Sequence, residues 1–361
     1  MTTGPGAPAP GIHVWRGLAV CRLLWLALTM GAAPAHAGEP ERFVFEKAGM
    51  GVPFRITLYA ESEAIAKAAS DAAFKRIEDL NAIFSDYEDD SEVTQLSRSS
   101  GQGRAVKVSA ELWTVLSRSQ ELARQTGGAF DVTCGPLVNA WRRARRKHEL
   151  PGANLIAELR GRVGWQKMRL DEKARTVELL APEMRIDLGA IAKGYACDEA
   201  LKVLRAKGCP RALVAGSGDM TAGDPPPGRT GWHVEIPGLD AEPPAEKPAT
   251  VVVDLANAAI ATSGDRFQRL EIDGKRYSHI LDVRAGVPLT DHSLVSVIAP
   301  DGMTADSLAT AASVLGPVAG IELIGKTPGA AARFQRQPAE KVEMVESAGW
   351  PKWVLKPQAV R

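Results

Sequence analysis

Apolar residues recur at every third or fourth position over 61–85, and this spacing places them on one face of a helix. The positions that share this face are Ile65, Ala69, Ala73, Ile77, Leu80 and Phe84. Three further helices are predicted from similar patterns and from terminal residues that cap or stop helices. They run from Ser109 to Gly127-Gly128, from just after Leu188 to near Gly208, and onward from near Thr304.

Short runs of β-branched, aromatic and other apolar residues predict strands. These runs are Phe43–Phe45, Phe54–Tyr59, Arg211–Ala215, Val251–Leu255, Arg269–Ile272, Lys275–Ile280 and Leu294–Ala299. Asp273-Gly274 supplies the positive-φ pair of a tight turn, which predicts a hairpin there. Because helices and strands are mixed without strict alternation or repeats, the pattern favours an α+β fold over a doubly wound sheet.

The stretch from Asp224 to Thr250 contains seven prolines. Proline fixes φ and removes a backbone donor, so regular structure is disfavoured over most of this stretch. We predict a Pro-rich surface loop over 224–250, with at most a short strand at Trp232–Ile236.

The first 37 residues have the pattern of a secretory signal peptide. Arg16 precedes an apolar run over 17–30, and Ala35-His36-Ala37 provides a cleavage pattern of small residues. The run is shorter than the roughly 20 residues that span a bilayer, which weighs against a membrane anchor. Cys21 leaves lipidation open, although it precedes most of the run. The prediction is a signal peptide over 1–37 and one domain over 38–361, exported to the periplasm with inner-membrane attachment left open.

Composition changes this picture in two respects. The 361 residues include 44 Lys+Arg and 43 Asp+Glu, and after removal of 1–37 the balance is 42 to 43. Such a chain has no bulk attraction to nucleic acid, so no nucleic-acid partner is expected. Cys134, Cys197 and Cys209 remain, and this odd, sparse set does not predict a disulfide framework or a zinc site.

Three segments carry residue types suited to chemistry. Asp187 ends a short strand before a glycine-containing helix start, where free N–H groups can bind phosphate. Asp306 and Thr310 lie one helical turn apart, and their hard oxygens suit Mg²⁺. His279 lies on the second strand of the predicted hairpin, and imidazole titrates near neutral pH, as a general base requires. Taken singly, each segment is more often structural than functional.

A run of basic residues over 142–147 has two interpretations. It could dock an acidic partner, or it could be the solvated end of a helix. The second interpretation is favoured on sequence alone.

Eight segments in sequence order resemble the FAD:protein FMN transferases, the ApbE family, and they span nearly all of residues 43–316. They are Met50-Gly51, Phe84–Tyr87 with Ser91-Glu92, Thr126–Thr133 with Gly135–Leu137, Asp187–Ala196, Gly216–Asp219, Thr262–Asp265, Ser278–Asp282 with Gly286, and Ala305–Ala311. Each segment is weakly specific, but the ordered set is specific.

This resemblance implies mixed or antiparallel sheets packed with helices, in an ApbE-like flavin transferase fold that is related to the T-fold. It also implies transfer of FMN from FAD to a threonine hydroxyl, with Mg²⁺ as cofactor and AMP as the second product. The acceptor would be an FMN-accepting domain of a membrane or periplasmic electron-transfer protein. The positions implied for FAD are Met50, Tyr87, Ala129, Phe130, Asp131, Asp187, Lys193 and Leu289; those for the metal are Ala190, Asp306 and Thr310; the implied base is His279.

The sequence departs from the family pattern after His279, where Val283 replaces a proline and Ala285 a threonine. These changes free a turn and remove a hydroxyl beside the expected site. Two alternatives to the transferase remain open. One is an FAD pyrophosphatase that releases free FMN and AMP, and the other is a non-enzymatic FAD-binding factor that helps to mature a respiratory complex.

Overall fold

An eight-stranded antiparallel sheet organises the computed structural model, which describes residues 39–239, 250–265, 269–338 and 342–355. The strands are β1 (Glu41–Gly49), β2 (Val52–Ala60), β3 (Val106–Lys107), β4 (Met168–Asp171), β5 (Thr176–Leu179), β6 (Ala212–Gly216), β7 (Asp219–Ala222), β8 (Trp232–Ile236), β9 (Val251–Leu255), β10 (Ala258–Gly264), β11 (Arg269–Ile272), β12 (Lys275–Ser278), β13 (Leu281–Asp282), β14 (Val287–Pro288), β15 (His292–Ala299), β16 (Ala331–Gln337) and β17 (Glu343–Glu346). The main sheet has the order β1-β2-β6-β7-β10-β15-β16-β17.

Seven α-helices accompany the sheets in the described part of the chain. They are α1 (Glu63–Phe84), α2 (Glu92–Arg98), α3 (Ala110–Gln125), α4 (Gly135–Lys147), α5 (Ala153–Arg160), α6 (Ala192–Ala206) and α7 (Gly302–Gly325). Local capping explains where several begin: Ser62 caps α1, Ser109 caps α3, and Asp301 caps α7 with its carboxylate 2.7 Å from the N–H of Thr304.

Side chains alternate between the two faces of the main sheet, as the two-residue repeat of a strand requires. On β10, Ala259 and Ala261 join the core beneath α1, α6 and α7, whereas Ala258 and Ile260 join a second core. That second core packs the β8–β9 ribbon and the fully buried Trp350 against the sheet. The result is a sheet covered on both faces, which fixes the ends of its central strands.

Helix α7 is the one described helix that is long and apolar enough to cross a membrane, yet half of its most apolar window is buried within the protein. It contains Pro317 and a break at Gly316, where φ is 76°. The helix packs against β10 and β15, so the structure explains its apolar character as that of a core helix.

Most predicted elements are present, with the α+β class confirmed. Each of the four predicted helices corresponds to an observed helix, and Asp273 and Gly274 adopt the positive φ values of the predicted hairpin turn. The strand predicted to continue through His279 is wrong, because β12 ends at Ser278. Residues 240–249 of the predicted 224–250 loop lie outside the described residues. In the described part of that stretch, β8 forms as the short strand expected at Trp232–Ile236.

Helices α6 and α7 cross where both carry glycine. A Cβ atom added to Gly194 would lie 2.0 Å from the backbone oxygen of Gly302, far inside contact distance. This crossing brings the start of α6 against the first turns of α7. This close approach therefore fixes where the side chains at the start of α6 and on the first turns of α7 lie.

We expect Gly194→Ala to lower the free energy of unfolding by about 3 kcal/mol, because the clash is with backbone and the helices must separate. Urea titration measures this change. Gly325→Ala in α7 is the matched control, since nothing lies within 4 Å of its added Cβ. Equal stability of the two variants would contradict the close crossing.

Candidate functional site

An acidic cluster forms where α6 and α7 cross. Asp306 is 3% exposed and accepts a hydrogen bond from the backbone N–H of Gly194 at 3.1 Å. Asp219, at the start of β7, is also buried. The ammonium of Lys193 lies 3.1 Å from Oδ2 of Asp219 and 3.6 Å from Oδ2 of Asp306, so one cation holds two carboxylates together.

The charges in this cluster perturb one another. Burial, together with the nearby carboxylate of Asp219, raises the pKa of Asp306 to about 7, against the opposing effect of Lys193. Burial lowers the pKa of Lys193, but the two carboxylates outweigh it and raise that pKa above its ordinary value. A second cation beside these carboxylates would offset the repulsion between them.

The oxygen atoms of the cluster fit a hard divalent cation. Oδ2 of Asp219 is buried and pairs with the ammonium of Lys193 at 3.1 Å, and a carboxylate oxygen so paired keeps a lone pair that can coordinate a cation. Thr310 lies one turn after Asp306, with its hydroxyl 3.3 Å from that of Ser263. Ala190, partly buried, precedes α6 by two residues. The described residues contain no group of three or more His, Cys, Asp or Glu side chains placed to hold a metal.

Asp219 was not predicted as a ligand from the sequence. The turn Gly216-Ser-Gly-Asp219 is one of the eight segments that carry the family resemblance, but Asp219 is not among the positions that the resemblance implies for the metal. Its neighbours Lys193 and Asp306 lie on α6 and α7, so the packing of β7 against these helices had to be known before this carboxylate could be assigned.

A second cluster surrounds Asp187. Its Oδ2 accepts a hydrogen bond from Nη2 of Arg142 at 2.8 Å, and its Oδ1 accepts from the N–H of Gly189 at 2.9 Å. The same guanidinium binds Asp86 and lies 4.5 Å from the ring centre of Tyr87, which is 76% exposed. The carbonyl of Gly189 in turn accepts from Lys193, so a continuous chain of polar contacts joins the two clusters.

The 129–131 turn is placed mainly by buried side chains. Ala129 and Phe130 are almost fully buried. Asp131 accepts hydrogen bonds from Thr133 and, at 2.8 Å, from the N–H of Trp165. Burial raises the pKa of Asp131 against these hydrogen bonds. The turn can therefore offer a ligand its backbone more readily than its side chains.

His279 lies in a bend, and the residues on both sides of it form backbone hydrogen bonds to Leu289. The carbonyl of Leu289 accepts from the N–H of Ser278 at 2.8 Å, and its own N–H donates to the carbonyl of Ile280 at 2.9 Å. Because both neighbours of His279 pair with one residue, the chain bulges and the imidazole is exposed. Leu289 and Ile280 pack with Ala129 and Val314, and Val314 lies one turn beyond Thr310 on α7.

The turn after His279 closes without the expected proline. The Asp282 carboxylate accepts from the backbone N–H of Arg284 at 3.0 Å, and the Asp282 carbonyl accepts from Gly286 at 2.8 Å. Val283 is buried in the same apolar cluster as Trp141. Side-chain hydrogen bonding thus replaces the constraint that proline would supply.

Two further features concern the β1–β2 turn and the attachment of the β11–β12 hairpin. Met50 occupies the β1–β2 turn at φ 48° and packs against the main core. Next to the end of β10, buried Asp265 binds Arg276 at 2.9 Å and His292 at 2.7 Å. That contact attaches the β11–β12 hairpin, which leads to His279, to the ends of β10 and β15. Arg142, Asp265 and Arg276 were not assigned to the site from sequence, because their pairing depends on how separate elements pack.

The sequence profile of the ApbE family matches residues 50–334. The chain belongs to the ApbE family. Among curated ApbE-type proteins, one from Haemophilus influenzae named FAD:protein FMN transferase is 32% identical over 263 residues, covering 69% of this chain and 73% of that protein. One of the same name from Treponema pallidum is 31% identical over 336 residues, covering 89% and 90%. The predicted family and the predicted enzyme class, a transferase, are confirmed.

Solved ApbE structures share the fold. The flavin transferase ApbE from Vibrio cholerae superposes with a TM-score of 0.76 at 25% identity, covering 87% of this chain and 99% of that one. The ApbE protein from Thermotoga maritima gives 0.76 at 26% identity, covering 88% and 100%. The predicted ApbE-like architecture of antiparallel sheets and packed helices is thereby confirmed.

Proposed function

We propose that this protein transfers FMN from FAD to a threonine hydroxyl of a partner flavoprotein and releases AMP. The observation that carries the proposal is the oxygen cluster at the α6–α7 crossing, linked through Lys193 and Gly189 to the Asp187–Arg142 group. The oxygen cluster can bind a metal and phosphate, and the Asp187–Arg142 group lies beside the exposed ring of Tyr87. Together they can receive the two halves of a dinucleotide.

The proposed ligands of Mg²⁺ are the side chains of Asp306 and Thr310 and the backbone carbonyl of Ala190, and Asp219 is a further candidate. When bound, the cation neutralises pyrophosphate charge and stabilises the departing phosphate of AMP. The two buried carboxylates fit this role because their charge is only partly offset by Lys193.

Binding of FAD is assigned to residues on both sides of this cluster. Lys193 would contact phosphate or ribose oxygens; the support is that its ammonium lies at the start of α6, where N–H groups also favour anions. Tyr87 offers an exposed ring for stacking against flavin or adenine. Met50, Asp187, Leu289 and the backbone of 129–131 would line the remaining surface.

His279 is the proposed base. The threonine Oγ attacks the phosphorus of the FMN half of FAD, while its proton passes to the imidazole. The P–O bond to the AMP half breaks, AMP leaves with the bonding electrons, and FMN stays as a phosphoester. An exposed imidazole suits this role because the acceptor arrives from another molecule.

Product analysis separates this proposal from the two alternatives. The mature protein is incubated with FAD, Mg²⁺ and an FMN-accepting domain from the same organism, and products are resolved by chromatography and intact mass. A transferase yields flavinylated acceptor and AMP, and a pyrophosphatase yields free FMN with unmodified acceptor. Tight FAD binding without any product would indicate a binding factor and refute both enzymatic functions.

We also propose export to the periplasm, with 1–37 removed as a signal peptide. The support is the basic and apolar pattern before Ala35-His36-Ala37. Intact mass of the protein recovered from the periplasm should correspond to a chain that begins at Gly38. A full-length mass, or a lipid-modified chain beginning at Cys21, would contradict this cleavage.

A further inference from the structure

Arg142 belongs to the basic run over 142–147, but its side chain turns into the protein and is only 16% exposed. The first residue of α4, Gly135, donates its N–H to the carbonyl of Arg185 at 3.1 Å, and a Cβ on that glycine would lie 2.6 Å from the same oxygen. Because seven residues make about two helical turns, Arg142 lies on the face of α4 that starts at this close contact. That face is directed toward the segment that leads from Arg185 to Asp187.

The guanidinium of Arg142 joins two carboxylates that repel each other. Nη2 donates to Oδ2 of Asp187 at 2.8 Å, and Nη1 donates to Asp86. Burial and the charge of Asp187 raise the pKa of Asp86, and Arg142 opposes both effects. Burial lowers the pKa of Arg142, but the two carboxylates outweigh it and raise that pKa above its ordinary value. The guanidinium therefore stays charged and is fixed from two directions.

The same guanidinium lies over the ring of Tyr87. Its Cζ atom is 4.5 Å from the ring centre, which is the distance of a cation–π contact. Tyr87 is 76% exposed, so the face of the ring that points away from Arg142 is accessible to solvent. An exposed tyrosine ordinarily samples several rotamers, whereas a ring held against a fixed guanidinium keeps one orientation. Arg142 thus sets the orientation of an aromatic ring that has one open face.

We propose that Arg142 is a positioning residue for FAD, which holds Tyr87 so that an aromatic ring of FAD stacks on the open face. This inference rests on the proposed function and adds a residue that the family resemblance does not imply. A ring that is oriented before binding loses less conformational freedom when the ligand arrives, which favours affinity. The competing role for Arg142 is an ion pair that only attaches α4 to Asp86 and Asp187.

The test is Arg142→Lys, which keeps the charge but lacks the planar fork that binds two carboxylates and lies flat on a ring. We expect the Kd for FAD to rise about tenfold. Calorimetry without acceptor and without Mg²⁺ measures this Kd, so that no turnover occurs. In steady-state transfer, the KM for FAD should rise by a larger factor than kcat falls. Arg143→Lys, on the exposed side of α4, is the matched control and should bind FAD like the unmodified enzyme.

A double-mutant cycle shows whether Arg142 acts through the ring. The double variant Arg142→Lys, Tyr87→Leu should raise the Kd for FAD by less than the product of the two single factors. Factors that multiply overturn the inference, as does an Arg142→Lys variant that unfolds at lower urea but binds FAD normally. Because Tyr87 is exposed, Tyr87→Leu folds even if Arg142→Lys is unstable, and an unchanged Kd for FAD in that variant also overturns the inference.

Isoalloxazine and adenine share the flat aromatic surface that such a stack recognises, and separate titrations with FMN and AMP distinguish them. The half of FAD that carries the stacked ring should bind about tenfold more weakly to Arg142→Lys than to the unmodified enzyme. Unchanged affinity for both halves would refute the stack. These measurements require no transfer. Conversely, FMN transfer by variants whose FAD affinity is unaltered would support the proposed function and reject this inference.

Discussion

Asp306→Asn is expected to reduce Mg²⁺-dependent FMN transfer by about 10²–10³-fold, which corresponds to about 3–4 kcal/mol of barrier. Asparagine can still accept the hydrogen bond from Gly194, so the helix crossing is retained. What is lost is the negative charge that attracts the cation. The rate of acceptor flavinylation, measured across a Mg²⁺ titration, reports this change.

The control for this prediction is Asp71→Asn, because Asp71 lies exposed on α1 and binds only the neighbouring Lys67 in the described structure. The Asp71→Asn variant should transfer FMN at the rate of the unmodified enzyme. If Asp306→Asn kept the full rate and the same Mg²⁺ dependence, the assignment of the metal to the α6–α7 crossing would be wrong.

His279→Ala is expected to slow transfer by about 10²–10⁴-fold, the contribution typical of a positioned general base. FAD affinity should change little, since the imidazole is exposed and its bend is held by backbone bonds of Ser278 and Ile280 to Leu289. Single-turnover kinetics at saturating FAD separate the chemical step from binding, and flavin fluorescence gives the Kd.

His233→Ala provides the matched control for the base. His233 is exposed on β8, in the layer on the opposite face of the main sheet from α6 and α7. The His233→Ala variant should transfer FMN at the rate of the unmodified enzyme. Unimpaired transfer by His279→Ala near neutral pH would remove His279 as the base.

Periodicity predicted the framework of the fold well, because it depends on local pattern. The spacing over 61–85 gives α1, and Asp273-Gly274 gives the β11–β12 turn. The sequence could not predict where β12 ends, since the bend at His279 depends on two hydrogen bonds to Leu289. Nor could it predict the order of strands in the main sheet, which long-range pairing decides.

The same distinction between local pattern and long-range packing applies to the candidate site. Asp306 and Thr310 could be grouped from sequence because one helical turn separates them. Asp219 reaches them only through the packing of β7 beneath α6 and α7, and Arg142 reaches Asp187 only through the placement of α4. Residues that meet across elements carry no periodic pattern that reveals the meeting.

The stoichiometry of a single turnover distinguishes FMN transfer from hydrolysis of FAD. The mature enzyme, with Mg²⁺ and limiting FAD, is mixed with excess acceptor domain, and AMP is quantified beside the FMN that is attached to a threonine located by peptide mass spectrometry. We expect one AMP for each attached FMN and no free FMN. AMP and free FMN in equal amounts, with the acceptor threonine unmodified, would contradict it.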